Sequence, residues 1–239
     1  MKGIILAGGS GTRLYPLTKV TNKHLLPIGS FPMIHYPITS LTKAGVTDIM
    51  IITGTEHMGD MITLLGSGKE YNCSFTFKVQ DEPDGIAGAL RLCEDFVGSD
   101  NCIVVLGDNI FSRNLTNDVA NFMSDCKLFF TEVNDPERFG VGVFTKDKVS
   151  TDYLISIEEK PKNPKTNLAC VGIYMYSNKV FSAIKAIKKS KRGEYEITSV
   201  NNYLIKNGVS DYSILKDSWV DAGTMDSYHR TSQIVYRNE

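Results

Sequence analysis

Cysteine, histidine and tryptophan are scarce in this 239-residue chain, and the few present are poorly spaced for metal or disulfide chemistry. The five cysteines (Cys73, Cys93, Cys102, Cys126, Cys170) are odd in number and never approach a CxxC spacing, so a disulfide framework and a thiolate metal site are both excluded and inert, buried thiols are expected. The four histidines, His24, His35, His57 and His229, form no HExxH or paired arrangement, and zinc is not expected. No apolar run approaches a membrane span, and the stretch 1–7 is too short for the core of a signal peptide, so the protein is expected to stay in the cytoplasm. Neither sign of charge dominates: 26 Lys and Arg stand against 27 Asp and Glu, a net charge of -1. No broad basic field is therefore available to hold a nucleic acid, and an anionic ligand must be gripped by a local cluster of donors and cations. What is present is 42% hydrophobic and 22% charged residues, the make-up of a globular protein rather than a disordered one.

Apolar runs alternate with helical patterns from the N-terminus onward, which predicts an α/β fold: a Rossmann-like wound, mainly parallel sheet flanked by helices. Buried strands are expected over 3–7, 48–53, 102–106 and 128–133, a half-exposed one over 75–79, and helices over 32–43, 58–65, 86–94 and 115–123. After Asn134 the texture changes. Strands over 141–144, 153–157 and 168–176 follow one another without helices between them, a β-rich subregion. Ser177 is expected to cap a helix carrying Val180, Phe181, Ile184 and Ile187, and Thr224 to cap a last helix running into Val235. The chain reads as one domain, 1–239, with an N-terminal nucleotide half over about 1–133 and a C-terminal substrate half over about 134–239.

The most informative stretch is Leu6-Ala7-Gly8-Gly9-Ser10-Gly11-Thr12-Arg13-Leu14, directly after the first strand. Ligands of wound α/β sheets bind beyond the carboxyl ends of the strands, where glycines let backbone N–H groups come close to phosphate oxygens. The stretch lacks the GK[ST] ending of a Walker loop and the third glycine of the dinucleotide fingerprint, and it ends in an arginine able to fork onto phosphate. Lys23, ahead of Leu25-Leu26-Pro27, is a second cation nearby, or a solvated lysine. Asp108, in Leu106-Gly107-Asp108-Asn109, ends a buried strand, and Asp221, in Trp219-Val220-Asp221-Ala222-Gly223-Thr224, precedes a helix. Each is a turn or cap residue on its own; together on a triphosphate they would require a divalent cation between them, and Mg²⁺ is the expected cofactor. Glu158-Glu159-Lys160-Pro161 aims a lysine from a stiff corner, or forms a salt-bridged surface. Arg192-Gly193-Glu194-Tyr195-Glu196-Ile197-Thr198 offers carboxylates to sugar hydroxyls or merely starts a helix. Gln80 and the turn Pro83-Asp84-Gly85 can present an amide and backbone groups to a base edge, or face solvent.

Taken in order, LAGGSGTRLYPLT, KHLLP, Q…PDG, LGDN, RFGVG, EEKP, RGEYEIT and WVDAGT resemble the sugar-1-phosphate nucleotidyltransferases over nearly the whole chain. The resemblance implies a reaction of dTTP with glucose 1-phosphate giving dTDP-glucose and pyrophosphate, an early step toward dTDP-rhamnose and other deoxysugars of cell-surface polysaccharides. It implies that Gly8, Gly9, Gly11 and Thr12 wrap the nucleotide phosphates, that Arg13 neutralises the departing pyrophosphate and that Lys23 assists at the α-phosphate. Gln80 and Gly85 would read the pyrimidine edge, and Asp108 and Asp221 would hold Mg²⁺. Asn109, Gly140, Glu159, Gly172 and Tyr174 would line the sugar site, and Lys160 would orient the sugar phosphate. Phe139 and Cys170 stand where the family commonly has Tyr and Val. The sequence ends at Glu239, soon after the last predicted helix, and is read as a short form of a family whose longer members carry a helical extension. A homo-oligomer is expected, with no nucleic acid or membrane partner.

No residue stands out as a covalent nucleophile, and a phosphate monoester is already ionised at neutral pH, so direct in-line displacement by positioning and charge is expected. A uridylyltransferase making UDP-glucose and a non-catalytic nucleotide-sugar sensor are the alternatives. A dinucleotide-dependent oxidoreductase is a distant third.

Overall fold

The computed structural model describes residues 1–146, 152–216 and 218–238. In chain order the first elements are β1 (Lys2–Leu6), β2 (Pro27–Ile28), β3 (Phe31–Pro32), α1 (His35–Lys43), β4 (Asp48–Thr53), α2 (Met58–Leu65) and β5 (Ser74–Val79). They are followed by α3 (Ile86–Arg91), α4 (Glu94–Val97), β6 (Cys102–Leu106), β7 (Asn109–Phe111), α5 (Thr116–Ala120) and β8 (Cys126–Glu132). The remainder comprises β9 (Gly140–Lys146), β10 (Asp152–Glu159), β11 (Leu168–Tyr176), α6 (Lys179–Ala186), α7 (Ile197–Asn207), β12 (Ser210–Ile214), β13 (Trp219–Asp221) and α8 (Met225–Asn238). The α/β class is the one expected. The chain divides into two compact units, each drawn from separated stretches: Met1–Pro83, Val104–Ala120 and Asp217–Glu239 form the first, Asp84–Ile103 and Asn121–Lys216 the second.

The first unit is the wound parallel part. β1 pairs in parallel with β4, from Gly3↔Ile49 to Leu6↔Ile52, and β4 in parallel with β5. The apolar runs KGIIL and DIMIIT are buried almost throughout because helices cover both faces of central parallel strands. β5 is instead the edge strand, and its SFTFKV alternates between exposed and half-buried positions. α1 sets Pro37, Ile38 and Leu41 inward, and the chain leaves the helix through Gly45, whose φ of 80° suits only glycine. At the tips of the strands, the Gly107 N–H donates to the Leu6 carbonyl at 2.9 Å, holding the turn after β6 against the end of β1.

The second unit carries the mixed β-rich part. β11 pairs antiparallel with β8, β12 lies parallel to β8, and β9 and β10 pair antiparallel with Glu159 opposite Gly140. α7 packs its buried Ile197, Val200 and Leu204 inward and is fastened to β10 by Asn202. The Asn202 Oδ1 accepts the Ile157 N–H at 2.7 Å, and its Nδ2 donates to the Ile157 carbonyl at 2.8 Å, so one amide replaces a neighbouring strand.

Two local expectations are corrected. The helix expected over 86–94 breaks into α3 and α4, because the Leu92 and Cys93 N–H groups bond three residues back, to Ala89 and Leu90, and tighten the chain out of α geometry. Ser177 does not cap α6; its hydroxyl donates to Asp125 and Asn178 precedes the helix. Thr224 does cap α8, its Oγ1 accepting the Ser227 N–H at 3.3 Å.

Asn202→Ala leaves both polar groups of Ile157 without that partner and should lower the unfolding free energy by about 1–3 kcal/mol. Urea denaturation measures it, and an unchanged midpoint would mean that the bridge contributes nothing.

Candidate functional site

In the first unit the glycine turn leaves β1 as its run of buried residues ends. Gly11 takes a left-handed φ of 65°, and the Thr18 hydroxyl donates to its carbonyl at 2.8 Å, closing the turn. Thr12 and Arg13 follow in a 3-10 turn anchored by the buried Leu14. Asn22 then caps the short turn Lys23–Leu25: its Oδ1 accepts the His24 N–H at 2.9 Å while its Nδ2 donates to the carbonyl of Ala7 at 3.1 Å. That pair of bonds sets Lys23 beside the glycines. Its Nζ lies 3.4 Å from the point where a Cβ on Gly9 would stand, and the Gln80 Oε1 lies 3.1 Å from the corresponding point on Gly8.

Lys23 forms a buried ion pair with Asp108 Oδ2. The other carboxylate oxygen of Asp108 accepts from Asn109 Nδ2 at 3.1 Å, and Asn109 Oδ1 accepts the Trp219 indole N–H at 2.7 Å. The antiparallel pairing of β13 with β7 sets Asp221 opposite Asn109, so the second carboxylate arrives next to the first. Gly223 shows how close they are: a Cβ there would stand 2.7 Å from Asp221 Oδ1, 3.1 Å from Arg13 Nη2 and 3.2 Å from Asp108 Oδ2. Two carboxylates and a guanidinium thus surround one point that only glycine leaves open.

Electrostatics follow from that crowding. Burial favours the neutral form of Asp108, yet the Lys23 charge and the bonds from Lys23 and Asn109 outweigh it and hold the carboxyl well below its ordinary range. Asp221 is pushed above its ordinary value, first by burial and then by the charge of Asp108, against the pull of the Gly223 N–H, Arg13 and Lys23. A divalent cation would relieve that repulsion, and two hard oxygen donors with room for phosphate oxygens suit Mg²⁺. Among the described residues no group of three or more His, Cys, Asp or Glu side chains could hold a metal, so the remaining ligands would be phosphate and water. His24 is buried and neutral, its pKa lowered to about 3 by burial first and the Lys23 charge second.

The second unit holds the other predicted residues. Gly85 opens α3 with a φ of 98°. Glu159, opposite Gly140, accepts the Thr198 hydroxyl at 2.6 Å and has Lys160 Nζ and Arg192 Nη2 each 3.7 Å from its Oε1. Lys160 is a non-glycine residue at a φ of 46°, pinned there by its N–H donating to the Phe139 carbonyl at 2.9 Å. Such strain persists only where surrounding structure enforces it, and it often marks function. Gly172 lies within β11, and the buried Tyr174 ring stacks on Tyr176 at 6.0 Å.

The structure therefore gathers Gly8, Gly9, Gly11, Thr12, Arg13, Lys23, Gln80, Asp108, Asn109 and Asp221 in the first unit, and places Gly85, Gly140, Glu159, Lys160, Gly172 and Tyr174 in the second. Sequence reasoning did not single out Asn22, His24, Trp219 or Gly223. His24, Trp219 and Gly223 lie inside motifs quoted for other residues, and Asn22 stands just ahead of KHLLP with no motif to mark it.

The chain matches the family model described as nucleotidyl transferase over residues 2–238. It is 42% identical to a glucose-1-phosphate thymidylyltransferase of Neisseria meningitidis over 98% of this chain and 82% of that one. A Bacillus anthracis crystal structure with sucrose, provisionally named a glucose-1-phosphate thymidylyltransferase, superposes with a TM-score of 0.92 at 53% identity, covering 99% of this chain and 95% of that one. A UDP-glucose pyrophosphorylase bound to UDP-glucose matches with a TM-score of 0.85 over 100% of this chain and 99% of that one, and at 23% identity speaks for the fold alone.

The buried His24 also sets a pH dependence. Its folded pKa of about 3 lies below the unfolded 6.5, so between those values the unfolded chain binds one more proton and stability falls as pH falls. Between pH 7 and pH 5 this amounts to about 2 kcal/mol. His24→Gln should flatten the difference between urea curves taken at those two pH values in chelator, and an unaltered difference would assign the proton uptake to another group.

Proposed function

The chain belongs to the nucleotidyl transferase family, and from that premise we propose that it transfers a thymidylyl group from dTTP to glucose 1-phosphate, releasing dTDP-glucose and pyrophosphate. The observation that carries this reading is the meeting of Arg13, Lys23, Asp108 and Asp221 at the glycine turn, where a triphosphate finds cations for its phosphates and carboxylates for its metal.

An oxygen of the sugar phosphate attacks the α-phosphorus of dTTP; the new P–O bond forms as the bond to the β-phosphate breaks, and its electrons leave with pyrophosphate. No proton has to be removed from an already ionised phosphate, so no general base is needed. Gly8, Gly9, Gly11 and Thr12 hold the phosphates through the turn, and Arg13 balances the charge that grows on pyrophosphate. Lys23 exchanges its contact with Asp108 for the α-phosphate. Gln80 and Gly85 read the pyrimidine, and Lys160, with Arg192 beside the same Glu159 oxygen, orients the sugar phosphate. Asn109, Gly140, Glu159, Gly172 and Tyr174 complete the sugar contacts. Asp108 and Asp221 would hold Mg²⁺, which would supply charge neutralisation for phosphoryl transfer. In this reading the first unit serves mainly the nucleotide and the second mainly the sugar, in a cytoplasmic homo-oligomer. Among the described residues no helix is long and apolar enough to cross a membrane.

Asp108→Asn and Asp221→Asn should each lose metal-dependent turnover while remaining folded, and Arg13→Ala or Lys160→Ala should lower kcat on the order of a hundredfold or more. Full activity in both Asp variants would end the metal assignment.

Pyrophosphate release measured across four nucleotides and several sugar 1-phosphates separates the alternatives. Thymine differs from uracil by one methyl group, so dTTP should be preferred over UTP in kcat/KM by only about 10–200-fold. Preference for UTP would favour the uridylyltransferase, and binding without pyrophosphate release the sensor.

A further inference from the structure

Tyr195 lies half-buried in the second unit, between the turn after Asp84 and the start of α7. Its N–H donates to the Asp84 carbonyl at 2.7 Å, and its own carbonyl accepts the Ala87 N–H at 3.2 Å. Ala87 is in the first turn of α3, whose N–H groups have no partner within the helix, so a residue more than a hundred positions away caps it. The fit is tight: a Cβ on Gly85 would stand 2.7 Å from the Tyr195 carbonyl oxygen.

The ring of Tyr195 has partners of its own. Arg91 Cζ lies 5.2 Å and Lys189 Nζ 5.3 Å from its centroid, within range for cation–π attraction. Arg91 also reaches Asp84 Oδ2 at 3.4 Å, closing a loop from Asp84 through Arg91 and Tyr195 back to the Asp84 carbonyl. Gly88 makes this possible, since a Cβ there would lie 1.9 Å from Asp84 Oδ1. On the other side of Tyr195 the contacts run toward the sugar residues. Glu196 takes two bonds of 2.9 Å from Arg192 Nη2 and one of 2.7 Å from Ser190, and Thr198 bonds Glu159.

We propose that Tyr195 and Arg91 are positioning residues that couple nucleotide binding at the Gly85 turn to sugar-phosphate binding at Glu159, Lys160 and Arg192. The proposal rests on the assignment of Gly85 to the pyrimidine and of those three residues to the sugar phosphate made above. Ordering of the turn by the base fixes Tyr195, and Tyr195 fixes the segment from Arg192 to Thr198 before the second substrate arrives. The coupling is reciprocal, as any equilibrium linkage must be.

The test is calorimetric titration of the full chain with glucose 1-phosphate in Mg²⁺, with and without saturating α,β-methylene-dTTP, which binds but cannot transfer. In the wild type the nucleotide analogue should tighten glucose 1-phosphate by about 5- to 150-fold. Tyr195→Leu and Arg91→Ala should each lower that factor by about twofold to fivefold while each ligand alone binds nearly as before. Tyr195→Phe, which keeps the ring, should retain it. Melting curves separate a folding defect from a loss of coupling, and the exposed Arg91 decides the matter if Tyr195→Leu fails to fold. A wild-type factor retained in Arg91→Ala, or a factor of one in the wild type, overturns the proposal. Failure of the wild type to bind either ligand is a different result, which overturns the site assignment itself.

Discussion

A carboxylate taken out of water must be matched by a positive charge, and Asp108, only 6% exposed, imposes that requirement on everything around it. Lys23 meets it, and Lys23 is in place because Asn22 ties the short turn carrying it to the end of β1. His24 stays neutral first because it is buried and second because a cation there would be repelled by Lys23. Asn109 completes the solvation of Asp108 and is itself oriented by the Trp219 indole. Asp221 is pushed up first by its burial and then by the charge of Asp108, which outweigh Arg13 and Lys23 there, whereas at Asp108 the adjacent Lys23 outweighs burial. The pocket is balanced only while Lys23 serves Asp108. In the proposed reading a triphosphate adds about four negative charges, and a divalent cation on the carboxylates would free Lys23 for phosphate.

The two units present their groups by different means. In the first, the turns after the parallel strands β1 and β6 deliver the glycines and Asp108, and the end of β13, paired antiparallel with β7, brings Asp221 beside them. In the second, the key side chains come from an antiparallel pair and a helix start: Glu159 from the end of β10, Thr198 from the first turn of α7, with Gly140 leaving the space in which they meet. A Cβ on Gly140 would stand 3.2 Å from the Thr198 hydroxyl and 3.4 Å from Glu159 Oε2. The left-handed backbone at Lys160 turns the chain directly after β10, where an extended residue would continue the strand.

Much of this was legible in the residues. The first strand, the glycine turn and the strand before Asp108 follow from continuous apolar runs interrupted by glycine, a pattern with a single physical reading in a wound sheet. The spacing also located α6 and α8 and the antiparallel strands near their observed positions. What it could not supply was partnership across long separations. Trp219 and Asn109 are 110 residues apart, and no periodicity announces that an indole will orient an amide. The Ser177 cap failed for the same reason: a local rule has the hydroxyl accept from the helix N–H groups, while in the fold it donates to Asp125, distant in sequence, and the helix starts after Asn178. The neutrality of His24 depends on burial and on the charge beside it, neither visible until the chain is folded.

The segment around Tyr195 shows why such partnerships matter beyond stability. Its backbone bonds alone would hold a leucine at that position equally well, since they use no side-chain atom. What the aromatic ring adds is a surface on which Arg91 and Lys189 can rest without burying a charge, and Arg91 in turn reaches the carboxylate of the residue whose carbonyl Tyr195 already binds. Cation–π contacts at partly exposed sites are each worth only about 0.5–1 kcal/mol, too little to fix a fold. They are enough to bias a loop between ordered and disordered states that differ by a similar amount. A contact of that size adds little in a rigid core and counts most where, as proposed for this segment, binding of one substrate prepares the site of the other.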